Sequence, residues 1–153
     1  MEIFDNIRSG ETEEVKQKLL KDPSLAYTKD EKGFPPIVLA TYNEQPEITR
    51  ILLENNANID EKDVAGNTAL MGVCFKGNFE IAEMLLEKGA DVNARNYGGA
   101  TPLIFAAMFG QVRIAQLLLK KGADKTMRDA QGNTAFAYAQ KKENQDLMNL
   151  LKD

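Results

Sequence analysis

No histidine occurs among the 153 residues, and Cys74 is the sole cysteine. The first absence removes the usual general base, the commonest transition-metal ligand and every serine or cysteine nucleophile that relies on imidazole. The second excludes an internal disulfide and a thiolate metal cage. No apolar run approaches the ~18 residues that a transmembrane helix needs, so no membrane association is expected. The opening residues, MEIFDNIRSGE, carry an acidic side chain at once and lack an apolar h-region, which leads to the expectation of a cytosolic protein without a leader. Positive charge is also short: the formal net charge is −4, which argues against broad binding to a nucleic-acid backbone.

Recognisable catalytic signatures are missing as well. Gly98-Gly99 is a turn pair, because no G-K-[ST] follows it as a phosphate loop requires. The carboxylate runs (Glu11, Glu13, Glu14; Asp60, Glu61, Asp63) read as solvated faces, and no pair stands in the opposed environments of an acid/base couple. Neither catalysis, nor a cofactor, nor a metal is expected.

What is present is a repeat. Gly33, Gly66, Gly99 and Gly132 are each 33 residues apart, and so are Asp30, Asp63, Asn96 and Asp129. Ile37, Leu70, Leu103 and Phe136 keep the same interval, as do Ile48, Ile81, Ile114 and Leu147. Each unit has one grammar. Thr68, Thr101 and Thr134 suit a helix N-cap, and Pro102 suits the first helical position, where a missing N–H costs nothing. A helix of about two turns then sets Leu103, Ala106 and Ala107 on one face. Gly77 and Gly110 break it. A second helix carries Ile81, Met84 and Leu85 in one unit and Ile114, Leu117 and Leu118 in the next. Gly89 and Gly122 end that helix in the left-handed conformation, and a stretch such as GADVNARNYGG leads out through a turn. No unit buries its apolar face alone. Stacked neighbours do, since small alanines let the first helices approach while Ile and Leu fill the seam. The pattern predicts an all-α solenoid of helix pairs with projecting turns.

DVAGNTALMGVCFKGNFEIAEMLLEKGADVNA and NYGGATPLIFAAMFGQVRIAQLLLKKGAD resemble consecutive ankyrin repeats, through G-x-T-P-L and L-L-x-x-G-A-D-V-N. The resemblance spans nearly the whole chain and implies an ankyrin solenoid with β-turn or hairpin loops. It divides the chain into an N-terminal cap (1–29), internal repeats at 30–62, 63–95 and 96–128, and a C-terminal cap (129–153). Polar replacements at the ends, such as Gln140 where the preceding unit has Ala107, suit a finite stack.

Several positions depart from the family pattern. Its T-P-L-H histidine is replaced by Val38, Met71, Ile104 and Ala137, so the hydrogen bonds that histidine makes between repeats are absent. The repeat at Asp30 has Pro35-Pro36 for Thr-Pro, which forfeits a cap of about 1 kcal/mol. It also has Glu44 and Asn56 where its neighbours have glycine. This repeat is expected to be the least regular.

The resemblance further implies that a partner docks on the concave side, formed by turn tips and the outward face of the first helices. With Leu103, Ala106 and Ala107 inward, Met108 and Phe109 lie at the helix end and are not wholly committed to that face. The equivalent places hold Tyr42-Asn43, Phe75-Lys76 and Lys141-Lys142, with Phe34, Val64, Tyr97 and Ala130 contributed by the tips. The candidate partner-binding residues are therefore Phe34, Tyr42, Phe75, Lys76, Tyr97, Met108, Phe109, Lys141 and Lys142. Aromatics and Met are enriched at interfaces, and an exposed patch of this kind suits docking. The alternative is that several of them pack between repeats as core edge. A column of Lys29, Lys62, Arg95 and Arg128 reads as a solvated charge ladder rather than a basic rail, and Cys74 as a small core residue.

The expected function is a monomeric, non-enzymatic module that binds a partner protein through its concave face. The alternatives are an inhibitor or immunity-type protein that occludes a partner enzyme, an enzyme with an unrecognised carboxylate site, and a spacer with no specific partner.

Overall fold

At Thr68, Thr101 and Thr134 the chain is extended and then turns into a helix. Each hydroxyl accepts an N–H that the first turn leaves unsatisfied: Met71 at 3.4 Å, Ile104 at 3.2 Å and Ala137 at 3.2 Å. The computed structural model describes residues 2–152. Among them are ten α-helices in five pairs and no strand. The pairs are α1 (Ile3–Arg8) with α2 (Thr12–Lys21), α3 (Pro36–Tyr42) with α4 (Pro46–Glu54), and α5 (Ala69–Lys76) with α6 (Phe79–Glu87). They continue with α7 (Pro102–Met108) and α8 (Val112–Lys120), then α9 (Ala135–Lys141) and α10 (Gln145–Leu151). A 3-10 turn, Pro23–Tyr27, follows α2.

First helices pack in sequence order, α1 on α3, α3 on α5, α5 on α7 and α7 on α9. The second helices form a parallel row, with α2 against α4, α6 against α8 and α8 against α10. Small side chains make the first row possible: Ala40, Val73, Ala106 and Ala139 share one register position and are fully buried. Ile48, Ile81, Ile114 and Leu147 enter from the second row with at most 2% exposure, so the core is one unbroken seam. At the N-terminal end, by contrast, Leu20 and Tyr27 remain exposed.

The projecting loops are turns without strand pairing, and the Asp/Asn column builds them. The Oδ1 of Asp63 accepts N–H groups from Ala65 and Asn67, both at 2.9 Å. Asp30, Asn96 and Asp129 do the same to the residues two and four ahead. Adjacent turns are then joined, Tyr97 N–H to the Ala65 carbonyl at 3.1 Å and Ala130 N–H to Gly98 at 2.9 Å. This contact accounts for two glycines of one column, Gly66 and Gly99. Gly66 has φ +82°, and a Cβ there would lie 2.7 Å from the Tyr97 nitrogen.

Two expectations change. The repeat at Asp30 is as regular as the others: α3 matches α7 in length, α4 matches α8, and Pro35 does lack a side-chain cap. Its missing glycines are tolerated because Glu44 and Asn56 adopt left-handed backbone at φ 55° and 64°. The irregularity foreseen in geometry is thus stored as local strain. The basic column, too, does more than balance acids. Lys29 Nζ reaches the Lys62 carbonyl at 3.2 Å, Lys62 the Arg95 carbonyl at 2.9 Å, and Arg95 the Arg128 carbonyl at 2.5 Å. Among the described residues, Lys29 alone of the four also makes an ion pair, with Glu61 at 3.6 Å. With Val38, Met71 and Ile104 buried in place of the family histidine, these links and the turn-to-turn bonds tie repeats together.

Candidate partner-binding groove

Four residues, Leu39, Gly72, Phe105 and Tyr138, occupy the same position in the first helices of successive repeats. Three are large and one is glycine, so the row has a gap at α5. That gap opens into a groove of about 600 Å³ between the turns at Asp30 and Asp63 and the helices α3 and α5. Its floor is Val38, Leu39, Met71 and Gly72; Phe34, Tyr42, Phe75 and Phe105 wall it. The polar groups on its rim include Arg8, Lys32 and Asp63. Arg8 is already engaged, with the Asp30 carboxylate at 2.5 Å.

An aromatic ladder runs out of the groove along the ends of the first helices. Tyr42 lies nearly parallel to Phe75, with centroids 6.1 Å apart and 10° between planes. Phe75 meets Phe109 edge-on at 4.6 Å, and Phe109 faces Phe105 at 6.2 Å. These are favourable ring geometries, worth about 0.5–1.5 kcal/mol per pair. Yet Tyr42, Phe75 and Phe109 stay 44%, 40% and 42% exposed. The rings touch one another and still present a face outward. Lys76 Nζ sits 4.8 Å from the Tyr42 centroid, which orders both side chains.

Among the residues singled out in the sequence, the structure brings Phe34, Tyr42 and Phe75 together in the groove. It sets Lys76 and Phe109 beside them on the ladder. Phe34 is half-buried, three positions beyond the tip row of Val64 and Tyr97. Met108 is also half-buried and packs on the core, leaving Phe109 as the outward member of that pair. Tyr97 is exposed at its turn, with Lys62 Nζ 5.7 Å from the ring. Lys141 lies over Tyr138 at 5.2 Å at the C-terminal end of α9, followed by exposed Lys142, and neither lines the groove.

Sequence reasoning missed Gly72, Phe105, Arg8 and Asp63 as parts of this surface. The signal for the first two was the 33-residue column they share with Leu39 and Tyr138. Arg8 and Asp63 carried no sequence signal for the groove.

Two side-chain environments stand out electrostatically. The Tyr138 hydroxyl donates to Asp129 Oδ2, a contact that raises the tyrosine pKa, as does partial burial. At Asp129 burial opposes ionisation, but bonds from Tyr138, Asn133 and Gln131, with the Lys141 charge, outweigh it and hold the carboxyl low. Cys74 is fully enclosed in α5, and burial pushes its thiol far above the ordinary range. Among the described residues no three Cys, Asp or Glu side chains converge as a metal set would. Nor is any described helix long and apolar enough to cross a membrane.

Comparison with known families agrees with the architecture. Residues 6–96 match a family model for ankyrin repeats in three copies, and residues 85–139 match one for ankyrin repeats in many copies. A comparison with curated proteins finds no match. Stacked helix pairs, threonine caps, aspartate-built turns and these two matches all lead to one assignment: the chain belongs to the ankyrin repeat family.

Proposed function

We propose that this chain is a non-catalytic module that binds one partner protein across the groove and its aromatic ladder. Ankyrin repeats are in general protein–protein interaction modules, and the groove is the place on this one that favours docking. The observation that carries the reading is the ladder: three rings in successive contact, each about two-fifths exposed, continuing out of an apolar groove. Rings that pack on each other are already ordered, so little rotamer entropy is lost when a partner covers them. Such residues make good anchors, and truncating one central aromatic typically costs a complex about 2 kcal/mol or more.

The test is affinity capture with the full chain beside a Phe75→Ala/Phe109→Ala variant, both shown to be folded by circular dichroism and cooperative urea unfolding. A partner recovered by the parent chain should bind the variant at least about tenfold more weakly. Equal binding of every recovered partner would remove the ladder from the site.

A further inference from the structure

We propose that the groove receives a tyrosine side chain of the partner, its ring in the gap at Gly72 and its hydroxyl donating to Asp63. This rests on the concave-face reading above and adds the chemistry of the anchor. The protein carries its own template for it. In the last repeat Tyr138, nine residues beyond the turn aspartate, donates its hydroxyl to Asp129 Oδ2. Asp63 and Gly72 stand at the same two positions of an earlier repeat. The backbones correspond: Gly72 N–H bonds to the Thr68 carbonyl at 3.2 Å, and Tyr138 N–H to Thr134 at 3.3 Å.

The second polar atom of each turn residue shows what is unusual about Asp63. At Asp30 it takes the Arg8 guanidinium, at Asn96 it donates to Asn67 at 2.9 Å, and at Asp129 it takes the tyrosine. Asp63 is 8% exposed, its Oδ1 holds the turn, and no described residue donates to Oδ2. Among the described residues no fully enclosed side-chain polar atom lacks a partner, so this oxygen is not sealed from solvent, and Asp63 lines the groove. A largely buried carboxylate with a free acceptor is a strong site for a donor from outside.

Shape and charge select the donor. A Cβ placed on Gly72 would meet nothing closer than the Tyr42 ring at 3.9 Å, so there is room to build outward from α5. Leu39, Phe105 and Phe75 offer apolar and aromatic walls for a ring. A guanidinium or ammonium would also pair with Asp63, but Arg8 and Lys32 share the groove and Lys76 stands over Tyr42. Arg8 is neutralised by Asp30, but the charges of Lys32 and Lys76 favour a neutral phenol over a further cation. Phenylalanine fills the space but lacks the donor. Glycine is unfavourable in the middle of a helix, and here its absence of a side chain is what keeps the socket open.

The test uses the full-length, isotope-labelled chain with p-cresol, the tyrosine side chain in isolation, and toluene as the same ring without the hydroxyl. In amide NMR titrations p-cresol should shift Gly72, Ala65 and Phe75 saturably and bind about five- to tenfold tighter than toluene. Asp63→Asn should cut that preference severalfold, since its Oδ1 can still hold the turn, as at Asn96, while the NH2 that replaces the charged acceptor can only donate to the weakly accepting phenol oxygen. Gly72→Tyr should remain folded and abolish the shifts from both probes. The proposal is overturned if toluene and p-cresol bind alike, if the preference is unchanged in Asp63→Asn, or if neither probe shifts the groove amides. Capture with Gly72→Tyr separates the two readings. Partners lost from that variant without any p-cresol preference leave the docking groove standing and remove the tyrosine anchor. Partners retained by it in full remove the docking groove itself, and the anchor with it.

Discussion

Tyr138 and Asp129 stabilise the last repeat through a bond whose worth depends on the charge of both. Asp129 has a lowered pKa in the folded state, so its contribution is present above the unfolded carboxylate value of ~3.9 and is lost as pH falls through the folded one. Tyr138 has a raised pKa, so its contribution is present below the unfolded value of ~10 and is lost as pH climbs through the folded one. Removing the hydroxyl with Tyr138→Phe should therefore cost about 1 kcal/mol at neutral pH, discounted for the partial exposure of the pair. Urea denaturation of parent and variant across pH checks this. The gap between them should be widest near neutrality and narrow at both extremes; a gap independent of pH would show that the ring, not the bond, matters.

Helices α3 and α4 illustrate which parts of an element can be read from its letters. The existence and spacing of the helices were legible, because Ile37, Ile48 and Leu52 recur at the interval that buries them. The caps were legible too, since a hydroxyl at Thr101 serves a need that every helix start has. The regularity of the repeat at Asp30 was not. Losing glycine at positions 44 and 56 suggested a distorted unit, but the neighbouring pairs over-determine the backbone and force Glu44 into φ 55° instead. The groove was half legible for a related reason. Aromatics at Tyr42, Phe75 and Phe109 declared themselves, whereas its gap comes from a side chain that is missing at Gly72, and its acceptor from an aspartate that looked like turn chemistry alone. Because Glu44 is held in left-handed backbone, Glu44→Gly should raise stability by about 0.5 kcal/mol, net of the extra freedom glycine brings to the unfolded chain and of one exposed bond from Asn78 at 3.3 Å. The shift in urea midpoint, with an unchanged slope, is the measurement. A decrease would mean that the left-handed turn costs glutamate nothing here.

For the molecule as a whole, the unbroken core makes the middle depend on the ends. Cys74 is enclosed in α5, between repeats on both sides, and its thiol reacts only when that pair opens. Leu151 lies at the far end, in α10, 2% exposed. Leu151→Ala should cost about 2–5 kcal/mol. If the stack opens as one unit, it should also speed native-state labelling of Cys74 by a disulfide reagent roughly tenfold or more. Unchanged labelling would show that the last pair frays alone. The link from each repeat to the next has a further consequence for how such a chain changes length. Lys29, Lys62 and Arg95 each donate forward to a main-chain carbonyl, an acceptor that every amino acid supplies. The receiving side therefore imposes no sequence requirement. A whole repeat duplicated or deleted in register would find this bond already provided, so this one link sets no barrier to a stack that grows or shortens in steps of 33 residues.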